Sequence, residues 1–577
     1  MDKRSLRRLA SFALIGLLAL PLPARSESGP GPESARPPAV TARNGMVVAQ
    51  EALATRVGAD ILQRGGNAID AAVAVGFALA VTYPRAGNIG GGGFMIVHRS
   101  SGEETAIDYR ETAPHAINDK SFLDAQGSAD PQKSRESALA IGVPGTVAGL
   151  ALAEEKYGSG KFTLAELIAP AVAFARDGIA VADDTADSLP VDRPRLARWP
   201  SSAQIFLKAD GMALAPGDRL VQTDLANTLE AIARKGPQAF YEGAIAQKLA
   251  AAVQAAGGVM TADDLGSYRP IERAPVRGTY RGYNIVSMPP PSSGGVALIE
   301  MLNILEGYDL AKEERTQTAY LMVEAMKRAY ADRAYFLGDP DVVKVPVARL
   351  TSKSYAADWR AGIDPARATA AGNIHPTAAP VPAEGRNTTH FSVTDRFGNA
   401  VSNTYTINFS YGVGLVAAGT GVLLNNELDD FAARPGAPNA YNLLGGDANA
   451  PGPNRRPLSS MSPTIVLRDG AVEIVTGSPG GSRIITTVLQ IVVDMIDHGL
   501  NVAEAENAPR AHDQLYPDEL RVERGMSADT LRLLAAMGHK VVVGEAIGSA
   551  NTIARAPDGV LTGASDPRQR GTLAVGY

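Results

Sequence analysis

The 577-residue chain contains no cysteine. That absence excludes a disulfide framework, a thiol nucleophile, a lipid-anchoring cysteine and any cysteine-ligated metal. Its seven histidines are scattered without His-x-x-x-His or comparable spacing, so neither a catalytic metal nor another cofactor is expected. No Gly-x-Ser-x-Gly elbow occurs, which argues against an ordinary serine hydrolase. The body has no run of Lys and Arg, and the formal net charge is -6; a nucleic-acid surface is not expected, and a small-molecule partner is. The cluster Gly87-Asn88-Ile89-Gly90-Gly91-Gly92-Gly93 lacks the Lys-Ser/Thr of a phosphate loop and precedes its apolar strand, so close backbone packing is the expected reason for its glycines.

With 45% hydrophobic and 20% charged residues, the chain reads as an ordinary soluble globular protein with material for a large core. Its start differs from the rest. Lys3, Arg4, Arg7 and Arg8 precede an apolar run over 9–22 and then Pro23-Ala24-Arg25-Ser26, the pattern of an export signal over 1–25. The run is short for a spanning helix and is interrupted by Pro21 and Pro23, so no stable membrane anchor is expected. In a Gram-negative cell such a chain would end in the periplasm or be secreted. Residues 26–44, rich in Pro, Gly, Ser and Arg, read as a disordered leader.

The spacing predicts a helix over 50–64 closed by Gly65-Gly66, then a second over about 68–81 capped by Asn67. The second is apolar on nearly every side and too short to cross a bilayer, so it belongs in the core. Further helices are expected over 164–176, where Pro170 should kink or restart the helix, and over 225–235, 316–337, 484–497 and 529–537. Residues 366–387 turn to Ala, Pro, Thr and Gly and read as a loose connector ending at Asn387. A β-hairpin follows, with strands at His390-Phe391-Ser392-Val393-Thr394 and 400–406 around the turn 395–399; more strands are expected over 464–467 and 472–476. Buried helices alternating with hairpins suit stacked layers, helices outside and sheets between.

The most informative stretch is Asn387-Thr388-Thr389-His390, which reads like an N-terminus concealed inside a polypeptide. A threonine that is also an N-terminus carries its own base, because the α-amine titrates at about 7.7 to 8.0 and can take the hydroxyl proton. Alone, the Thr-Thr pair would merely open a strand. Other segments change its weight: Asp108-Tyr109-Arg110-Glu111, Met288-Pro289-Pro290-Pro291-Ser292-Ser293-Gly294-Gly295, Asn425-Asn426-Glu427-Leu428-Asp429-Asp430-Phe431, Arg456-Pro457-Leu458-Ser459-Ser460-Met461-Ser462-Pro463 and Gly477-Ser478-Pro479-Gly480-Gly481-Ser482-Arg483. Together with the Thr388 stretch, and in this order, they resemble the γ-glutamyltranspeptidases over 45–577.

The resemblance implies an α+β fold, the four-layer αββα sandwich of N-terminal-nucleophile hydrolases. It also implies a precursor that cuts itself between Asn387 and Thr388 into a large subunit, 45–387, and a small one, 388–577, which stay together. The precursor is expected to be inactive. Thr388 would be the nucleophile and Thr406 its hydrogen-bonded support.

A γ-glutamyl donor carries a carboxylate and an ammonium on one carbon. Arg110 offers a planar fork for the first, and by resemblance Ser459 and Ser460 help hold it. Asn408, Glu427 and Asp430 would receive the second. Many family members carry glutamine at the Glu427 position and others glutamate, which bears on donor selectivity. Gly480 and Gly481 would let backbone N–H groups face the oxyanion. Tyr441, in the Gly-, Pro- and Asn-rich stretch 435–454, is a lid candidate, and His390 is expected to be structural.

The acceptor would be water, an amino acid or a peptide, and glutathione a typical donor. A glutaryl or cephalosporin acylase of the same fold is the near alternative. An exported solute-binding protein is the distant one, and it would stay a single uncut chain.

Overall fold

The hairpin that begins at Thr388 lies at the centre of a seven-stranded antiparallel sheet. Its strands run, edge to edge, Leu573–Gly576, Gly45–Ala49, Thr388–Asp395, Ala400–Thr406, Gly92–His98, Glu104–Tyr109 and Ile271–Arg273. The computed structural model describes residues 39–375, 387–434 and 446–577. The expected export signal, nearly all of the leader, residues 376–386 of the connector, and Tyr441 lie outside the described residues. A second antiparallel sheet of seven strands runs Val40–Ala42, Leu561–Ser565, Asn551–Arg555, Ala471–Thr476, Thr464–Arg468, Tyr283–Ser287 and Val276–Tyr280.

Period-two alternation sorts the strand side chains into separate cores. In the first sheet Met46, Val48, Phe94 and Ile96 meet Val286, Ile465, Val475 and Ile553 of the second, filling the space between sheets. Their neighbours Val47, Ala49, Met95 and Val97 face the other way, against the helices Ala52–Gln63, Ala68–Thr82, Thr146–Tyr157 and Leu164–Asp177. On the far face of the second sheet, Ile285, Val466 and Ile474 pack with helices Gly294–Leu305, Arg315–Phe336 and Arg483–Ile496. Helix, sheet, sheet, helix is the αββα sandwich expected.

The helix Ala68–Thr82 is buried along its whole length, as its all-round apolar character requires. Asn67 and Asp70 close its N-terminus as a reciprocal capping box, and Asp395 Oδ2 accepts the Ala68 N–H at 2.8 Å. One expectation needs correction, and one pair of alternatives is narrowed. The folded body begins before Gly45, because Val40–Ala42 pairs with Leu561–Ser565; the β-branched Val40-Thr41 can supply an edge strand despite the proline-rich residues ahead of it. Pro170 does not restart its helix, which continues from Leu164 to Asp177. Among the described residues no helix is long and apolar enough to cross a membrane.

Candidate active site

The register of the central hairpin sets Thr388 directly opposite Thr406. Both face a recess of about 280 Å³, open to solvent, whose walls also include Asn408, Glu427, Asp430, Ser459, Ser460, Met461, Gly481 and Ile484. The chain is continuous through Asn387–Thr388 here, so the geometry is that of the uncut form. The Thr406 hydroxyl donates to the carbonyl oxygen of Asn387 at 2.9 Å and accepts from the Asn408 N–H at 2.8 Å. In the uncut chain Thr406 thus engages the carbonyl of the residue that precedes Thr388. The glycine cluster lies beneath this pair. A Cβ on Gly91 would sit 2.1 Å from the Thr406 carbonyl oxygen, so the packing reading accounts for that glycine.

At one end of the recess stands a buried charge cluster. Arg110, just past the strand Glu104–Tyr109, is fully buried; its Nε donates to Pro457 O at 3.1 Å, Nη1 to Glu427, and Nη2 to Asp430 at 2.6 Å. Glu111 lies 3.6 Å from Arg110, and neither of its carboxylate oxygens has a hydrogen-bond partner among the described residues. Burial, with repulsion from Glu427, pushes Glu111 well above the usual carboxylate range, Arg110 opposing. Burial likewise raises Glu427 to about 7, Arg110 pulling it back and Asp430 adding to the rise. Burial raises Asp430 too, with Arg110 opposing. The cluster thus sets three carboxyl groups, each raised by burial, around one guanidinium.

The serine wall is held from behind. Ser293 donates to Ser459 O through both its N–H, at 2.8 Å, and its hydroxyl, at 2.7 Å, while Ser292 Oγ donates to Met461 O at 2.5 Å. Thus the Pro-Pro-Pro-Ser-Ser-Gly-Gly segment is a cradle for residues 459–461 rather than a part of the recess. Buried Arg333 completes it, donating to Ser293 Oγ at 2.9 Å and Ser460 Oγ at 3.3 Å. Opposite, Gly480 (φ 134°) and Gly481 (φ 58°) adopt backbone that favours glycine and lead into the helix Arg483–Ile496. Their N–H groups make no hydrogen bond to the described residues, and the helix N-terminus adds partial positive charge there.

The γ-glutamyltranspeptidase family profile matches residues 54–576. The chain belongs to the γ-glutamyltranspeptidase family. Among relatives of this γ-glutamyltranspeptidase-family chain, a glutathione hydrolase proenzyme of Escherichia coli (strain K12) is 54% identical, with 93% of each chain covered. An acylase ACY 1 proenzyme of Pseudomonas sp. (strain SE83) is 39% identical, covering 92% of this chain and 93% of its own. In three dimensions the chain is similar to a cephalosporin acylase from Bacillus halodurans, with a TM-score of 0.83, 28% identity, and 95% and 98% of the two chains covered.

In this γ-glutamyltranspeptidase-family chain, eight of the expected residues meet at one recess: Thr388, Thr406, Asn408, Glu427, Asp430, Ser459, Ser460 and Gly481. Arg110 stands behind the acidic pair, and Gly480 is one residue outside the wall. Sequence reasoning missed Met461 and Ile484 on the wall, and Glu111 and Arg333 behind it. Met461 lies inside a quoted motif and Ile484 follows another, so their neighbours were the available signal. His390 is structural: buried, it meets Thr404 Oγ1 at 2.8 Å and Ser392 Oγ at 3.0 Å, and burial drops it to about 3.

Proposed function

We propose that the protein is a self-processing γ-glutamyl hydrolase and transferase. The chain cuts itself between Asn387 and Thr388. Thr388, then an N-terminus, takes the γ-glutamyl group of glutathione or a related amide as an ester and passes it to water, an amino acid or a peptide.

One observation carries this reading: the recess beside Thr388 ends on two carboxylates paired with a buried guanidinium, a charge pattern that matches the two charges on the glutamyl α-carbon. Arg110, with Ser459 and Ser460, would take the α-carboxylate, while Asp430, Glu427 and Asn408 would take the ammonium. The γ-carbonyl would then lie between Thr388 and the Gly480-Gly481 turn. There the Thr388 hydroxyl attacks and gives its proton to the α-amine, and the oxyanion meets backbone N–H groups at a helix N-terminus. The protonated amine next supplies the leaving amine with its proton. Water or an amine acceptor then attacks the ester by the reverse proton path.

The acylase relative makes glutaryl transfer the reading to exclude. A glutaryl group has no ammonium, so its end would meet Glu427 and Asp430 without a cation to offset them. Release from γ-glutamyl and glutaryl anilides by wild type and Asp430→Ala decides between them. Loss of γ-glutamyl turnover by about thirtyfold or more supports the proposal; glutaryl turnover that dominates in wild type and survives the substitution refutes it. The basic residues and apolar run at the start of the chain support export to the periplasm, which cell fractionation tests.

A further inference from the structure

The residue before the nucleophile is held at two points, and only one belongs to the machinery described so far. Thr406 holds the Asn387 carbonyl oxygen at 2.9 Å. The second hold comes from Arg85, in the turn after the buried helix Ala68–Thr82: its Nη2 donates to Asn387 Oδ1 at 2.6 Å. Arg85 is itself anchored. Its Nη1 donates to both carboxylate oxygens of Asp184, at 2.9 Å each, and Asp184 lies in the first turn of the helix Asp183–Leu196. The Arg85 carbonyl accepts the Tyr411 N–H at 3.1 Å, and the guanidinium sits 6.0 Å from the Tyr83 ring centre. Arg85 and Asp184 are both largely shielded, with side-chain exposures of 19% and 14%. Tyr83, Asp184 and Tyr411 together hold the guanidinium in its charged form against the cost of burial.

A rigid cation gripping the side chain of Asn387, and a hydroxyl gripping its carbonyl, fix the torsions between them. Those torsions decide which face of the carbonyl carbon the Thr388 hydroxyl meets. We infer that Arg85, anchored by Asp184, is a positioning residue for self-cleavage, acting through the Asn387 side chain. The inference rests on the cut falling between Asn387 and Thr388. In that step the Thr388 Oγ–C bond to Asn387 forms and the C–N bond breaks. The hydroxyl proton ends on the liberated amine; water then cleaves the ester, leaving Asn387 a carboxylic acid and restoring the Thr388 hydroxyl. Arg85 is not among the walls of the recess, so the inference gives it no part in turnover by the cut enzyme.

The test follows conversion of freshly purified precursor from one band to two for wild type, Arg85→Met, Asn387→Ala and the double variant. Fully cut protein is then assayed for kcat and KM with a γ-glutamyl anilide. Each single substitution should slow cleavage about ten- to a hundredfold, the scale of a misaligned attack. The double variant should be no slower than the slower single one, because both remove the same contact. Cut Arg85→Met should keep wild-type kcat and KM.

Unchanged cleavage, additive slowing in the double variant, or altered turnover constants in the cut protein would each overturn the inference. If Arg85→Met does not accumulate as folded precursor, Asn387→Ala alone decides, since it leaves the Arg85–Asp184 pair intact; unslowed cleavage there refutes the idea. Mass spectrometry of the wild-type fragments separately checks the junction, and a small fragment not starting at Thr388 would sink the underlying cut-site reading instead.

Discussion

Replacing Glu427 by Gln should abolish a pH dependence that the wild-type enzyme owes to one buried carboxyl. Glu427 titrates at about 7, raised by burial and by Asp430 and only partly restrained by Arg110. Because its value is raised, its negative charge is missing below neutrality and appears as the pH climbs through 7. About one molecule in ten carries it at pH 6, and about nine in ten at pH 8. If that charge helps receive the donor ammonium, kcat/KM for a γ-glutamyl anilide contains this fraction, because kcat/KM reports the free enzyme. The Thr388 α-amine also titrates nearby, but it is common to both proteins, so the ratio of wild type to Glu427→Gln removes it. That ratio should rise about tenfold between pH 6 and pH 8 and then level off. A glutaryl anilide, which has no ammonium, should give no such rise. A flat ratio for the γ-glutamyl donor, or one that falls with pH, would refute the assignment of Glu427 to the ammonium.

Thr406→Val removes the hydroxyl that donates to Asn387 O and should slow self-cleavage by about a hundredfold, with Thr406→Ser much nearer wild type, as read from band conversion over time. Gly91→Ala would drive a methyl group against the Thr406 carbonyl oxygen, 2.1 Å away; unfolding should become easier by about 1–3 kcal/mol in denaturant titrations. His390 is held at about 3 by burial, against 6.5 for a free side chain. A lowered value means that the stability of the neutral ring is present above pH 6.5 and is lost as the pH falls toward 3, amounting to about 2 kcal/mol by pH 5. His390→Gln should therefore lose less stability than wild type between pH 7.5 and pH 5, measured as the shift of the unfolding midpoint.

Local patterns were readable from the sequence where one element decides them. The hairpin was legible from its alternation and from Asp395 and Gly398 at the turn, where Asp395 Oδ1 accepts the Phe397 and Asn399 N–H groups. The buried helix was legible because Ala68–Thr82 has no polar face to leave in water. The candidate site was legible as a set of motifs, and the recess gathers most of them. What escaped were facts made by distant pairs. Nothing near Arg110 announces that it is fully buried against residues more than three hundred positions away. The strand Val40–Ala42 depends on a partner near the C-terminus, and Arg85 has no local sign of its grip on Asn387. Ser292 and Ser293 stand in a segment that carried the family resemblance without a role of its own; their hydroxyls brace the 459–461 loop, a role only tertiary contact assigns.

The N-terminal sequence of the smaller fragment of purified, active protein tests the central claim most directly. The account predicts Thr-Thr-His-Phe-Ser from Thr388 onward, with activity appearing in step with that fragment and absent from Thr388→Ala, which should stay a single chain. Full γ-glutamyl turnover by a chain still intact across Asn387–Thr388 would contradict it.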